Sequence, residues 1–251
     1  MFPRFPVRYL APNSITGLGI VLACAAIALA HAGRHEWAAW LIVWCVLLDR
    51  TDGFVARATN ACSEFGEQFD SLADFLCFCV APPMLVYFFM AGDIRCRQLL
   101  ERPSYKAILI GSGVVYVLSG AVRLARFNVT TAHVGPDRFE GLSSTFAGFI
   151  TVTFLLSGQH YSWPRGVMAA VPLLLLVCSV FMISNLSLPK SLPSRRGLLF
   201  PLLVILHIVA YALGILRLFP MVLLILALGY PVVGFSMGAR SSRMLKAAGR
   251  S

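Results

Sequence analysis

Between Leu47 and Phe78 the chain reads LLDRTDGFVARATNACSEFGEQFDSLADFLCF, placing Asp49, Asp52, Asp70 and Asp74 among long apolar runs. Asp49, Asp52, Gly53 and Ala56 recur at i, i+3, i+4 and i+7, and Gly66, Asp70 and Asp74 at i, i+4 and i+8, so each set lies on one helix face. If these two helices pack as a hairpin, with Gly53, Ala56 and Gly66 letting the backbones approach, the four carboxylates converge in one pocket. Their repulsion demands cations, and ligation by carboxylate oxygens alone selects hard ions, Mg²⁺ or Mn²⁺. A pair of such ions suits phosphoryl transfer, one polarising the phosphate and one handling attacking or leaving oxygens. Arg57, about one turn beyond this face, is placed to grip a pyrophosphate. Glu64 and Glu67 read as loop residues.

These residues sit in a chain that is 58% hydrophobic and 13% charged, with mean hydropathy +0.79, which excludes an ordinary soluble domain. A carboxylate at the centre of a span costs about 2.5 to 3.5 kcal/mol, so the aspartates must face each other, water or a cation rather than lipid. The expected architecture is all-α: a polytopic membrane bundle with spans near 14–31, 37–59, 66–91, 105–127, 142–157, 164–184, 197–215 and 218–237. That makes about eight, in a single domain over 1–251. Pro82, Pro83, Pro172 and Pro231 fall inside spans, where neighbouring helices can satisfy the freed carbonyls. Arg4, Arg8 and Ala30-His31-Ala32 imitate a secretory signal. The next apolar run starts just after Glu36, which favours a retained helix.

The net charge of +10 reads as topology here, not as nucleic-acid binding. With the N-terminus inside, inner segments carry fourteen of the 21 basic residues, from Arg4, Arg8, Arg50 and Arg57 to Lys190, Arg195, Arg196, Arg240, Arg243, Lys246 and Arg250. The outer Arg95, Arg97, Arg102 and Lys106 run against the rule. The basic C-terminal tail suits anionic lipid. The seven cysteines form no C-x-x-C pair and read as small core residues.

Asp49-x-x-Asp52-Gly53-x-x-Ala56-Arg57, then eight residues, then Gly66-x-x-x-Asp70-x-x-x-Asp74, resembles the signature of the CDP-alcohol phosphotransferase family at all eight fixed positions. The resemblance implies an integral membrane enzyme with a six-helix catalytic core, usually a homodimer, that moves a substituted phosphate from a CDP-linked donor to an alcohol and releases CMP. It implies that Asp49 and Asp70 ligate both of two divalent ions, Asp52 one, and Asp74 the other while serving as base for the acceptor hydroxyl. Gly53, Arg57 and Ser63 are implied contacts of the donor, CDP-diacylglycerol. Asn13 and Thr16 resemble the short lead segment that closes over the nucleotide.

Phe69-Asp70-Ser71-Leu72-Ala73-Asp74-Phe75, Val80-Ala81-Pro82, Arg123-Leu124-Ala125-Arg126-Phe127-Asn128, Phe139-Glu140-Gly141-Leu142 and Met182-Ile183-Ser184 are similar to elements of the bacterial phosphatidylserine synthase branch. The branch implies L-serine as acceptor. The orientation read from the basic residues puts the Asp49 to Asp74 face on the cytosolic side of the cell membrane, where CTP-derived nucleotides are made. Gly141-Leu142-Ser143-Ser144-Thr145 replaces the branch's usual Gly-Leu-Pro-Ser-Pro, and Asn185 and Leu188 replace a basic and an aromatic residue. Arg123 and Arg126, with Asn128, are expected to face headgroup phosphates or an acceptor anion. Charge alone does not choose between serine and glycerol 3-phosphate, and choline is a further alternative within the family. A cation channel or transporter would need acids along a path across the bilayer, whereas these cluster near one edge.

Overall fold

The computed structural model describes residues 9–134, 138–184, 187–189, 209 and 212–229. The expected span 197–215 lies mostly outside these residues, as do Arg4, Arg8, Asn185, Lys190, Arg195, Arg196, Pro231, Arg240, Arg243, Lys246 and Arg250. Of span 218–237, a helix over Pro220–Gly229 is described.

Among the described residues, four helical stretches are long and apolar enough to cross a bilayer: Leu10–His31, Glu64–Gly92, Pro103–Val129 and Arg165–Ile183. The first is α1. The second comprises α3 (Glu64–Asp74), a π-helical turn (Phe75–Val80) and α4 (Ala81–Gly92). A short α5 (Ile94–Leu100) leads to α6 (Pro103–Val134), and the fourth stretch is made of α8 (Arg165–Met168) and α9 (Val171–Ile183). Between them run α2 (His35–Ala58) and α7 (Ser144–His160). α2 has the length of a span, 24 residues, but concentrates Asp49, Arg50 and Asp52 in its second half. It is a helix for the interior, with Ala38 to Val43 all buried. α7 is shorter, at 17 residues, and as buried.

α1 packs chiefly on α2. Its buried positions Thr16, Gly19, Ala23, Ala26 and Ala30 form a stripe of small side chains, which lets two membrane helices approach closely. The expected hairpin of the second and third spans is found only in part: α2 meets the π turn and α4, but not chiefly α3, and its larger contacts are elsewhere. α2 packs on α1 and α7, while α3 packs on α1. The glycines explain why: Gly53 faces the guanidinium of Arg57, 3.4 Å from where its Cβ would stand, and Gly66 faces Ser63 and Asn13, so neither lies at an α2/α3 crossing. Glu64 and Glu67 are also helical, not loop. Ser63 caps α3 by accepting the Gly66 N–H at 3.0 Å, and acidic side chains suit a first turn beside the positive end of the helix dipole.

The π turn follows from Pro82 and Pro83. Neither has an N–H, so the carbonyls of Phe78 and Cys79, four residues earlier, lose their usual donors. The turn slips register, with Ala81 N–H donating to Leu76 O, and the fully buried Tyr116 of α6 donates its hydroxyl to Phe78 O at 3.0 Å. A neighbouring helix therefore satisfies a carbonyl freed by proline, as expected. α7 fits the same turn through Gly148, whose Cβ would stand 3.2 Å from the Phe78 backbone.

Beyond α4, Asp93 caps α5 by accepting the Arg95 N–H at 2.8 Å and pairs with its guanidinium at 2.7 Å. That hydrogen bonding holds the Asp93 carboxyl below the usual carboxylate range. The all-α expectation needs one addition, an antiparallel pair of three-residue strands, β1 (Arg138–Glu140) and β2 (Ser187–Pro189), with Phe139 opposite Leu188.

Candidate functional site

The carboxylates of Asp49, Asp70 and Asp74 come together at one end of the bundle, with one oxygen from each within 4.8 Å of the others. α2 supplies the first and α3 the other two, one helical turn apart. Asp52 lines the same cavity but is turned aside: its Oδ2 accepts the Thr16 hydroxyl of α1 at 2.7 Å. Thr16 also reaches the Pro12 carbonyl at 3.1 Å. The predicted convergence of four carboxylates is thus a trio with a fourth anchored beside it. The buried Cys45 and Cys77 thiols line the cavity as well, and both donate to Gly19 O, at 3.5 and 3.4 Å.

The expected donor contacts lie on two sides of this trio. Arg57 folds back over Gly53 at the end of α2, its guanidinium in ordinary contact distance, 3.4 Å, of where a Cβ would stand. Asn13 Oδ1 and Ser63 Oγ meet at Gly66, 3.3 and 3.1 Å from where its Cβ would stand, so the lead helix closes on the N-terminus of α3. A methyl at Gly66 would crowd both.

The acceptor candidates part company. Arg123 is not an interfacial cation. It turns into the bundle, within electrostatic reach of Asp74 and Asp49, and Nη1 donates to Ser144 Oγ at 3.1 Å. Its Nε is buried with no hydrogen-bond partner among the described residues. Arg126, one turn on, contacts the Ile183 carbonyl at 3.5 Å instead. Asn128 is drawn towards α3, where it accepts the Ser71 hydroxyl at 3.1 Å and donates to Gln68 at 3.5 Å. Arg50 also leaves the trio, lying 5.6 Å over the Phe146 ring of α7.

Two stretches far apart in sequence complete this end. Gly141 has φ +75°, a conformation that favours glycine, and a Cβ there would stand within 2.9 Å of the carbonyls of Phe181, Met182 and Ser184. Leu142 N–H donates to Phe181 O at 2.9 Å.

The family described as CDP-alcohol phosphatidyltransferase matches residues 9–183, from the lead segment to the end of α9. The chain belongs to that family. Among its relatives, a CDP-diacylglycerol–serine O-phosphatidyltransferase of Helicobacter pylori is 34% identical over 183 residues, covering 72% of this chain and 73% of the relative. An archaetidylserine synthase of Methanothermobacter thermautotrophicus is 33% identical over 181 residues, 71% and 69% of the two chains. A CDP-diacylglycerol–serine O-phosphatidyltransferase of Saccharomyces cerevisiae is 29% identical over 158 residues, 62% and 52%.

In this CDP-alcohol phosphatidyltransferase the sequence reading missed Ser144 and Gln68, which hold Arg123 and Asn128. Gln68 carries no sequence signal, its partner lying 60 residues away, whereas Ser144, 21 residues from its partner, stands at the serine of the branch's Gly-Leu-Pro-Ser-Pro. Ser71 did carry one, standing inside the Asp-Ser-Leu-Ala-Asp element.

Proposed function

We propose that this membrane phosphatidyltransferase moves the phosphatidyl group of CDP-diacylglycerol to L-serine and releases CMP. The observation that carries the proposal is the trio of Asp49, Asp70 and Asp74 in a cavity lined also by Thr16 and Asp52, with Arg123 within electrostatic reach. The names of these relatives, including the archaeal one, share serine as headgroup.

The donor set fits divalent cations. Three carboxylates within 4.8 Å of one another offer only oxygen, and Arg123, within electrostatic reach of Asp74 and Asp49, is bonded to Ser144. Asp49, Asp52, Asp70 and Asp74 would hold two ions, Mg²⁺ or Mn²⁺, which when bound neutralise the diphosphate and polarise the phosphorus. Gly53, Arg57, Ser63, Asn13 and Thr16 bind the CDP end of the donor. Asp74 takes the proton of the serine hydroxyl. The freed oxygen bonds to the lipid-bearing phosphorus, the bond from that phosphorus to CMP breaks, and its electron pair leaves with CMP. Arg123 offers the serine carboxylate a charge-assisted hydrogen bond from the Nε that has no partner among the described residues.

The reading includes one domain over 1–251, about eight spans around a six-helix core, a homodimer, and a trio facing the cytosol across the cell membrane. It is tested with purified protein, CDP-diacylglycerol and L-serine. Asp49→Asn and Asp70→Asn are expected to insert normally and abolish CMP release, and a chelator to abolish it in the unmodified chain. Full release in excess chelator would overturn the metal assignment, and preference for glycerol 3-phosphate over serine would overturn the acceptor.

A further inference from the structure

α2 carries Asp49 and Asp52 on the side facing α1, so something must fix its rotation from behind. Trp37, Val43, Trp44 and Leu47 lie about 120° to 240° around the helix from Asp49, at roughly 100° per residue. That back face does not meet lipid alone. Trp44 Nε1 donates to the Gly214 carbonyl at 3.0 Å, a Cβ on Gly214 would stand 3.4 Å from both Leu47 and Val43, and the Arg217 guanidinium stacks 4.1 Å over the Trp37 ring.

The segment that makes these contacts is itself held in shape by them. Arg217 has φ +53° and Phe219 φ +50°, left-handed conformations that cost free energy in any residue but glycine. Leu218 N–H closes the preceding helical turn onto Leu213 O at 3.0 Å. The cation–π contact offsets part of the cost at Arg217 by seating its guanidinium on Trp37. All of this lies past residue 183, where the family match ends.

We propose that residues 212–217 are a positioning brace: docked behind α2, they set the rotation that presents Asp49 and Asp52 to the cavity. None of them touches the reacting groups. The inference rests on the proposed role of those aspartates, and its test separates the two ideas. Gly214→Leu forces the segment off Val43 and Leu47, whereas Gly214→Ala adds a methyl that just fits. Two quantities are read in the full-length protein: the Mg²⁺ concentration for half-maximal CMP release, and the rate at which N-ethylmaleimide alkylates Cys45, quantified by mass spectrometry. Cys45 is 1% exposed and contacts Gly19 O, a contact that a rotated α2 breaks.

A misplacement of about 1 Å can cost up to about a hundredfold, so Gly214→Leu is expected to raise the Mg²⁺ requirement at least about tenfold and speed Cys45 alkylation by a similar factor. Trp44→Phe, which keeps the ring and loses the donor, shifts both less, and Gly214→Ala shifts neither. Lower thermal stability in Gly214→Leu with both readouts unchanged overturns the brace, because the segment then only adds stability. Should wild-type turnover ignore Mg²⁺, the metal reading falls and the alkylation rate alone decides: a wild-type rate in Gly214→Leu overturns the brace, and a faster one supports it.

Discussion

Thr16 and Asp52 are joined across α1 and α2 by a hydroxyl-to-carboxylate hydrogen bond of 2.7 Å. This bond orients the one aspartate that stands outside the trio, and ties the lead helix to the helix bearing Asp49. A hydrogen bond to a charged group contributes about 1.5 to 3 kcal/mol. Thr16→Val is therefore expected to lower CMP release by about ten- to a hundredfold at limiting Mg²⁺ while the protein still inserts. Thr16→Ser keeps the donor and most of the activity. Equal activity in the Val and Ser variants would show that the bond does not orient Asp52.

Arg123 and Arg126 should separate kinetically. Arg123→Ala is expected to weaken apparent serine affinity about ten- to a hundredfold, with far less effect on CDP-diacylglycerol. Arg126→Ala, whose guanidinium reaches the Ile183 carbonyl, is expected to leave serine affinity near wild type. Saturation curves for the two substrates decide this, and an equal loss for both would mark a folding defect.

Tyr116→Phe strips the donor from a buried carbonyl. An unsatisfied buried group costs about 1 to 3 kcal/mol, so the melting midpoint in detergent should fall. Adding Pro82→Ala supplies a backbone N–H four residues after Phe78 and should recover part of the loss. A double variant no more stable than the single one would mean that Phe78 O is not the group at stake.

Cys62 is exposed between α2 and α3, and Cys96 is buried. With the trio facing the cytosol, an impermeant thiol reagent should label Cys62 in inverted membranes and not in sealed cells, in a variant lacking Cys24 and Cys96. Labelling from outside would reverse the orientation.

Much of this was legible in the sequence because it is local. Asp70 and Asp74 share a face by spacing alone, and apolar runs marked the stretches Leu10–His31, Glu64–Gly92, Pro103–Val129 and Arg165–Ile183 to within a few residues. Of the cysteines, Cys45, Cys77, Cys79, Cys96 and Cys178 are buried as expected, while Cys24 and Cys62 are exposed. What was not legible depends on partners far along the chain. The periodicity of α2 says which residues share a face but not which helix that face meets, and small residues on α1, not Gly53 or Gly66, settle that it is α1. Arg123 looked interfacial because it ends an apolar run. Its inward turn depends on Ser144, in another helix.

The π turn after Asp74 has a consequence for anyone who would transplant this motif. One extra residue in a turn advances the helix by about 100°, so the aspartate half and the lipid half of this span follow different angular phases. A host helix of regular pitch, given Gly66 to Asp74 alone, would either aim the carboxylates correctly and turn Leu85 and Phe89 outward, or bury those two and swing the carboxylates away. The portable unit runs from Ser63 to Phe89, and Tyr116 must travel with it.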